Sequence, residues 1–283
     1  MTRRPSPDIG EQMAAGSAER AGARRPSGGL GSRSDPATMR VVEVRRTSDR
    51  ILHLGLRRED GGTLAFRPGQ FCRVAIPTPS GEMAWRSYSI ATPVTEDDTS
   101  DVCEIAAAAV PAGIGTSHLF SRRIGDRIQV CGPFGRLILP TSDPARYVLI
   151  GTGTGMAPYR SMLPELERRA SATGLSVTLV MGVREPADAL YADDFRAFVA
   201  RDPERRRLLV SYSRQLPVVE GRLQARGYVQ ERLSELELSP DHDRVLLCGN
   251  PDMIDECVAE LVHGGFGKAD LIREKYLSGP APR

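Results

Sequence analysis

The chain reads as a two-domain protein, an antiparallel β-barrel followed by a doubly wound α/β domain. Three observations predict this. Between Met39 and about Pro140, short alternating runs are broken by Gly, Pro and Asp, the grammar of a small antiparallel barrel. From about Arg146, short apolar runs alternate with helical stretches, which predicts a parallel sheet covered on both faces. The first of those runs, "RYVLIG", enters a glycine turn and then a helical segment, the usual opening of a nucleotide-type fold.

The barrel strands are read, in order, from "MRVVEVRRT", "RILHLGLRR", "FCRVAIP", "RSYSIAT", "DVCEIAAAAV" and "DRIQVCGPFGRLIL". The connections "EDGGT", "TPSGE" and "TEDDTS" carry turn residues, and a short helix is expected near Thr116–Arg123. In the second half the strands "SVTLVMG", "RLLVSYS" and "DRVLLCG" alternate with helical "MAPYRSMLPELERRA", "ADALYADDFRAFVAR", "YVQERLSEL" and "PDMIDECVAELVHGG". Residues 1–38 are rich in Gly, Ala, Ser, Pro and Arg, and besides Met1 hold only Ile9, Met13 and Leu30 as large aliphatic or sulfur side chains. Such a segment cannot bury enough apolar surface to offset its ordering entropy, and it has no signal-peptide core. It is expected to be a disordered extension, or a leader ahead of a start at Met39. The organisation is then 1–38 extension, 39–142 barrel domain, and 143–283 α/β domain with a C-terminal tail.

Composition excludes several classes. A formal net charge of +2 over 283 residues gives no footing for a nucleic-acid binder. No run approaches the roughly 18 apolar residues of a membrane span. Cys72, Cys103, Cys131, Cys248 and Cys257 form neither a CxxC pair nor an iron–sulfur spacing, and free thiols suit the cytoplasm. His53, His118, His242 and His263 are scattered, so no metal site is expected.

Three places carry chemistry. In "WRSYSIATP" a strand would put Arg86 and Tyr88 on one face and Ser87 and Ser89 on the other. By themselves these residues also fit an ordinary barrel strand with one exposed arginine. In "LIGTGTGMAP", Gly151, Gly153 and Gly155, with Thr154 among them, sit between strand and helix, where glycine permits close approach of a pyrophosphate. The spacing is GxGxG rather than GxGxxG, and a tight turn would also use it. At the carboxyl ends of the next two strands lie Arg184, then Ser213 and Arg214, with Arg222 just downstream. Solvated loop arginines would look the same, but together these residues suit a 2′-phosphate, which guanidinium groups pair bidentately.

Four motifs in order give the chain, from about Met39 to Leu277, a resemblance to the ferredoxin–NADP⁺ reductase family. They are R-x-Y-S at Arg86, Tyr88 and Ser89; G-x-x-T-S at Gly113, Thr116 and Ser117; G-T-G-T-G-x-A-P from Gly151 to Pro158; and C-G-x-P-x-M from Cys248 to Met253. The resemblance implies FAD as cofactor and NADP(H) as substrate. Arg86 would then contact the FAD pyrophosphate, Tyr88 stack on the isoalloxazine, Ser89 lie near flavin N5, and Thr116 and Ser117 meet the FAD phosphates. Tyr228 is similar to a tyrosine near the adenosine. Cys248 and Glu274 would border the nicotinamide, although Cys248 is also what an inert buried thiol looks like. Tyr276 matches the family tyrosine that covers the flavin, but here Leu277 to Arg283 follow it, so either the tyrosine or the tail is expected over the ring. Ser89, Cys248 and Glu274 are the catalytic candidates.

The implied activity is a ferredoxin/flavodoxin–NADP⁺ oxidoreductase, with hydride passing between NADP(H) and flavin and single electrons to or from a separate ferredoxin or flavodoxin. A monomer is expected. Arg57, Arg58, Arg67 and Arg73 are candidates for docking an acidic partner. The alternatives are the NAD(P)H-dependent reductase of an oxygenase, a free-flavin or ferric reductase, and a nucleotide-binding subunit that transfers no electrons.

Overall fold

The computed structural model of the chain describes residues 35–216 and 224–276. Six strands build the first domain: β1 (Ala37–Ser48), β2 (Ile51–Arg58), β3 (Phe71–Pro77), β4 (Met83–Ser89), β5 (Val102–Ala108) and β6 (Arg127–Phe134), with helix α1 (Ile114–Phe120) before the last. The sheet is antiparallel in the order β4-β3-β6-β1-β2-β5, and an Ile90–Ile105 bridge brings its two ends together. Alternation explains the interior. Cys72, Val74 and Ile76 of β3 point inward with no exposure, while Arg73 between them faces out. The sequence boundary at residue 38 needs correcting. Ala37 and Thr38 pair with Val130 and Gln129 of β6, so both belong to the barrel rather than to the extension.

Among the barrel strands, β2 has the longest run buried on both faces. Leu52, Leu54 and Leu56 fill the barrel, and Ile51 and His53 turn toward the second domain. That domain has β7 (Arg146–Thr152), β8 (Ser176–Val183), β9 (Arg206–Tyr212), β10 (Gln224–Arg226), β11 (Asp243–Gly249) and β12 (Leu271–Lys275). All are parallel, in the order β10-β9-β8-β7-β11-β12. Helices α2 (Ala157–Thr173) and α3 (Ala192–Ala200) contribute to the core on one face, with Tyr147, Leu149 and Leu179. Helix α4 (Pro251–His263) and a 3₁₀ segment, Val229–Leu236, cover Val148, Ile150 and Val245 on the other. Two short segments depart from the sequence reading. The run expected to be helical at "YVQERLSEL" closes as 3₁₀, and the α3 stretch starts only at Ala192, after Tyr191 takes a left-handed φ of 58°.

The two domains share one core. Ala91, Ala106, Leu137 and Leu139 from the barrel side pack in the same cluster as Met156, Tyr159 and Met162 around α2. Polar contacts fasten α2 to the barrel. Ser161 Oγ accepts from Gly69 N at 2.8 Å, and Arg160 Nη1 donates to the Ala91 carbonyl at 2.9 Å and to Glu104 Oε2 at 2.5 Å. Arg169 pairs with Glu165 and Asp143, and reaches Glu96 at 3.4 Å.

Candidate functional site

On the barrel side the site is built on edge strand β4. Period two places Arg86 and Tyr88 together, and α1 packs over them: a Cβ on Gly115 would lie 3.0 Å from the Tyr88 hydroxyl and 3.7 Å from Arg86 Cγ. Burial pushes the Tyr88 phenol up to about 12, so it remains a neutral donor. Arg86 donates only to its neighbouring Trp85 carbonyl, at 3.1 Å, and makes no ion pair among the described residues. A half-buried guanidinium without a carboxylate, beside a ring and a glycine that keeps the space open, fits an anionic, flat-ringed cofactor. Thr116 turns its hydroxyl back to accept from Val110 N at 2.8 Å, and Ser117 is exposed beside it.

Parallel register assembles the other side. Gly151, Cys248 and Glu274 stand opposite one another on β7, β11 and β12. The glycine turn follows from close approach: a Cβ on Gly155 would overlap the Cys248 carbonyl, and Gly249, at φ 124°, would meet Thr152 Oγ1 at 2.5 Å. Only glycine lets these two turns touch. The segment after β7 is a 3₁₀ turn, Gly153–Met156, that leads directly into α2. Gly153 has φ 55° with open space where a side chain would be, and Thr154 is buried.

The barrel and the row meet at Ser89. Tyr276 Oη lies 2.6 Å from Ser89 Oγ and donates to the Thr154 carbonyl at 3.3 Å, while Tyr276 N donates to the Gly249 carbonyl at 2.8 Å. Burial pushes the Glu274 carboxyl up to about 7, against a smaller opposing effect of its hydrogen bond with Ser89. The carboxyl also lies against Gly135, where a Cβ would come within 3.0 Å of it. Cys248 is fully buried; burial and then nearby Glu274 push its thiol well up, so it is a neutral group at physiological pH. Ser89, Glu274, Cys248 and Tyr276 are thus brought together as one cluster. The tail from Leu277 lies outside the described residues.

A third group forms at the carboxyl edges of β8 and β9. Ser213 N donates to the Val183 carbonyl at 2.9 Å and Arg214 N to the Arg184 carbonyl at 3.0 Å, which sets these loops side by side. Arg184 and Arg214 are exposed, and neither makes an ion pair among the described residues. Tyr228, 58% exposed, follows β10 at the same edge, where Gly227 N donates to the Tyr212 carbonyl at 3.1 Å. Arg222 lies outside the described residues.

One sequence expectation changes. The docking arginines do not share a face: Arg57 and Arg58 of β2 are separated from Arg73 of β3 by β6 and β1, and Arg67 pairs with Glu96 at 2.7 Å. Arg73 lies instead with its guanidinium 5.0 Å from the Phe134 ring. The fold also draws together three side chains that the sequence kept apart, His53, Glu43 and Glu104, from three strands. Gly135 and the Thr154 carbonyl were not singled out in the sequence, and Gly249 entered only as the glycine of C-G-x-P-x-M. For Gly249, the adjoining Cys248 was the available signal.

The arrangement, a ring-and-arginine strand facing a glycine turn, defines a flavin- and nicotinamide-nucleotide-binding oxidoreductase. Two family profiles match in that order, "Oxidoreductase FAD-binding domain" over residues 38–138 and "Oxidoreductase NAD-binding domain" over residues 149–259. Ferredoxin–NADP reductase B of Sorangium cellulosum (strain So ce56) is 33% identical over 240 residues, covering 83% of this chain and 94% of the relative. The toluate 1,2-dioxygenase electron transfer component of Pseudomonas putida is 27% identical over 240 residues, covering 84% of this chain and 67% of the relative. The solved ferredoxin NADP⁺ reductase of Neisseria gonorrhoeae, with bound FAD and NADP, superposes with a TM-score of 0.72 at 22% identity, covering 86% of this chain and 99% of that one. The chain belongs to the ferredoxin–NADP⁺ reductase family, and it is an oxidoreductase with FAD as cofactor and NAD(P)(H) as substrate. No helix of the described residues is long and apolar enough to cross a membrane.

Proposed function

We propose that the chain is an NADP(H)-dependent flavin reductase that exchanges single electrons with a separate ferredoxin or flavodoxin. The observation that carries the coenzyme choice is the pair of exposed arginines, Arg184 and Arg214, set beside Ser213 without carboxylate partners among the described residues. Two unpaired guanidiniums and a hydroxyl suit the 2′-phosphate that distinguishes NADP(H), and Arg222 is proposed as a third donor. The glycine turn would take the dinucleotide pyrophosphate, and Tyr228 the adenosine. The ferredoxin reading is supported by the 33% identity to a reductase of that name.

Arg86, Tyr88, Thr116 and Ser117 would hold FAD, whose bound ring supplies hydride exchange with nicotinamide and release of electrons one at a time. The protein's own residues orient and exclude water. Ser89 and Tyr276 define the floor between the two domains, and buried Cys248 closes the strand edge without taking a charge. Glu274, held near neutral pKa and hydrogen-bonded with Ser89, is placed to give or take a proton through that hydroxyl. Holding the nicotinamide against the flavin edge is the main contribution to rate.

The test is anaerobic mixing of the yellow protein with NADPH and, separately, NADH, following loss of the flavin band. Fast bleaching by NADPH, and a fall of roughly 10- to 100-fold in kcat/KM for NADPH but not NADH in Arg214→Ala, is expected for a charge-assisted contact worth about 1.5–3 kcal/mol. Equal bleaching by both coenzymes would remove the clamp. It would move the assignment to the second reading, an oxygenase reductase, which the 27% identity to the toluate dioxygenase component favours.

A further inference from the structure

On the face of β2 that looks toward the second domain, three donor atoms converge. Gly55 lies opposite Glu43 on β1 and opposite Glu104 on β5, and His53 precedes it by two residues, on the same side of the strand. Having no side chain, Gly55 leaves the space over which the two glutamates lean; a Cβ there would come within 3.0 Å of Glu43 Cβ. His53 Nε2 points into that space, 3.5 Å from Glu43 Oε2 and 3.8 Å from Glu104 Oε1. His53 is fully buried, yet Nε2 has no hydrogen-bond partner.

We propose that His53, Glu43 and Glu104 form a binding site for one divalent transition metal ion of the zinc type, at the boundary between the two domains. A tetrahedral Zn²⁺ with nitrogen and oxygen ligands at about 2.1 Å separates its ligand atoms by about 3.4 Å. The His53–carboxylate distances of 3.5 and 3.8 Å are too long for hydrogen bonds but close to that spacing. All three donors lie within 4.8 Å of one another. The Glu43 side chain, about half exposed, supplies both the remaining closure and the entry path from solvent.

The surroundings orient these atoms without consuming them. Tyr191 Oη holds His53 Nδ1 at 2.8 Å, which directs Nε2 at the carboxylates. Each carboxylate gives its other oxygen to an arginine: Glu43 Oε1 to Arg45 Nε at 3.5 Å, and Glu104 Oε2 to Arg160 Nη1 at 2.5 Å. Asp194, 2.6 Å from Arg160 Nε, adds a third carboxylate against the two guanidiniums, so the local field tolerates a cation. The fourth position falls to water. Adjacent to the site, a groove of about 470 Å³ lined in part by Arg45, Arg160 and Tyr191 gives water room. All three ligands are barrel residues, and the second domain meets the site only through Tyr191 and Arg160, which hold the ligands from outside.

The test uses the full-length, FAD-loaded protein, stripped with a chelator and dialysed against ZnCl₂. One zinc per chain by elemental analysis and a raised Tm are expected. In Glu43→Gln the affinity should fall tenfold or more, with FAD content and NADPH bleaching unchanged. Co²⁺ in place of Zn²⁺ should give a tetrahedral nitrogen–oxygen spectrum. Absence of stoichiometric zinc, zinc affinity in Glu43→Gln and His53→Gln equal to the parent's, or a thiolate-to-cobalt charge-transfer band would each overturn the site. In those cases His53 simply carries its proton toward the two carboxylates.

Discussion

Glu274 is where the chemistry and the stability of the protein meet. Unfolded, its carboxyl titrates near 4.5; folded, burial holds it near 7. Between those values the unfolded chain sheds its proton first, so this residue's contribution to stability falls as pH rises from about 4.5 to 7 and stays lowered above that. The shift corresponds to about 2–3 kcal/mol once partial exposure is allowed for. Glu274→Gln should therefore resist urea better than the parent at pH 8 and equally well at pH 5. In flavin reduction, the inflection near pH 7 should vanish in the same variant. A parent enzyme with no inflection there would remove the proton role. How legible these residues were depended on how local their signal is. Arg86, Tyr88 and Ser89 lie within one strand, where a two-residue period fixes their faces. His53, Glu43 and Glu104 lie on three strands, and nothing short of the register of β1, β2 and β5 reveals that they meet.

At the scale of elements, the two glycine turns decide whether β7 and β11 can lie side by side at the ligand edge. A methyl on Gly155 has nowhere to go, because it meets the Cys248 backbone rather than a side chain that can swing away. Gly155→Ala should cost about 1–3 kcal/mol and raise KM for NADPH several-fold, while leaving FAD bound. Equal Tm and KM in denaturation and steady-state assays would show that the turn relaxes freely. The long strands and α2 were readable because their apolar spacing is regular. β10 and β12 were not: "QAR" and "LIREK" have no alternation, and their pairing is imposed by β9 and β11. The 3₁₀ path of Val229–Leu236 was equally hidden, since its apolar spacing resembles that of an α-turn.

For the whole molecule the decisive feature is Arg160, which touches the Ala91 carbonyl, Glu104 and Asp194 and lies 4.5 Å over the Tyr191 ring. Replacing it with methionine keeps the packing but leaves Glu104 without its cation in a confined space. Breaking such a pair costs about 3 kcal/mol, the lower end of the range for buried pairs. Arg160→Met should lower Tm by roughly 5–10 °C with the flavin spectrum retained, and an unchanged Tm would show that the contact is idle. Glu165 behaves in the opposite sense to Glu274. Burial alone would raise its pKa, but Arg168 and Arg169 prevail and hold it at about 2, so its support is present above about 4.5 and lost as pH falls toward 2.

The shared core also constrains how such a chain can change over generations. Ile51, Ala106, Leu137 and Leu139 are barrel residues whose packing partners include Met156, Tyr159 and Met162 of the other half. A recombination that grafted this barrel onto a foreign nucleotide half would strand those side chains against a surface they do not match, and leave Glu104 facing no arginine. The unit that can be inherited intact is therefore the pair, and novelty is more easily admitted at the exposed carboxyl edge, where Arg184 and Arg214 can change without disturbing the seam.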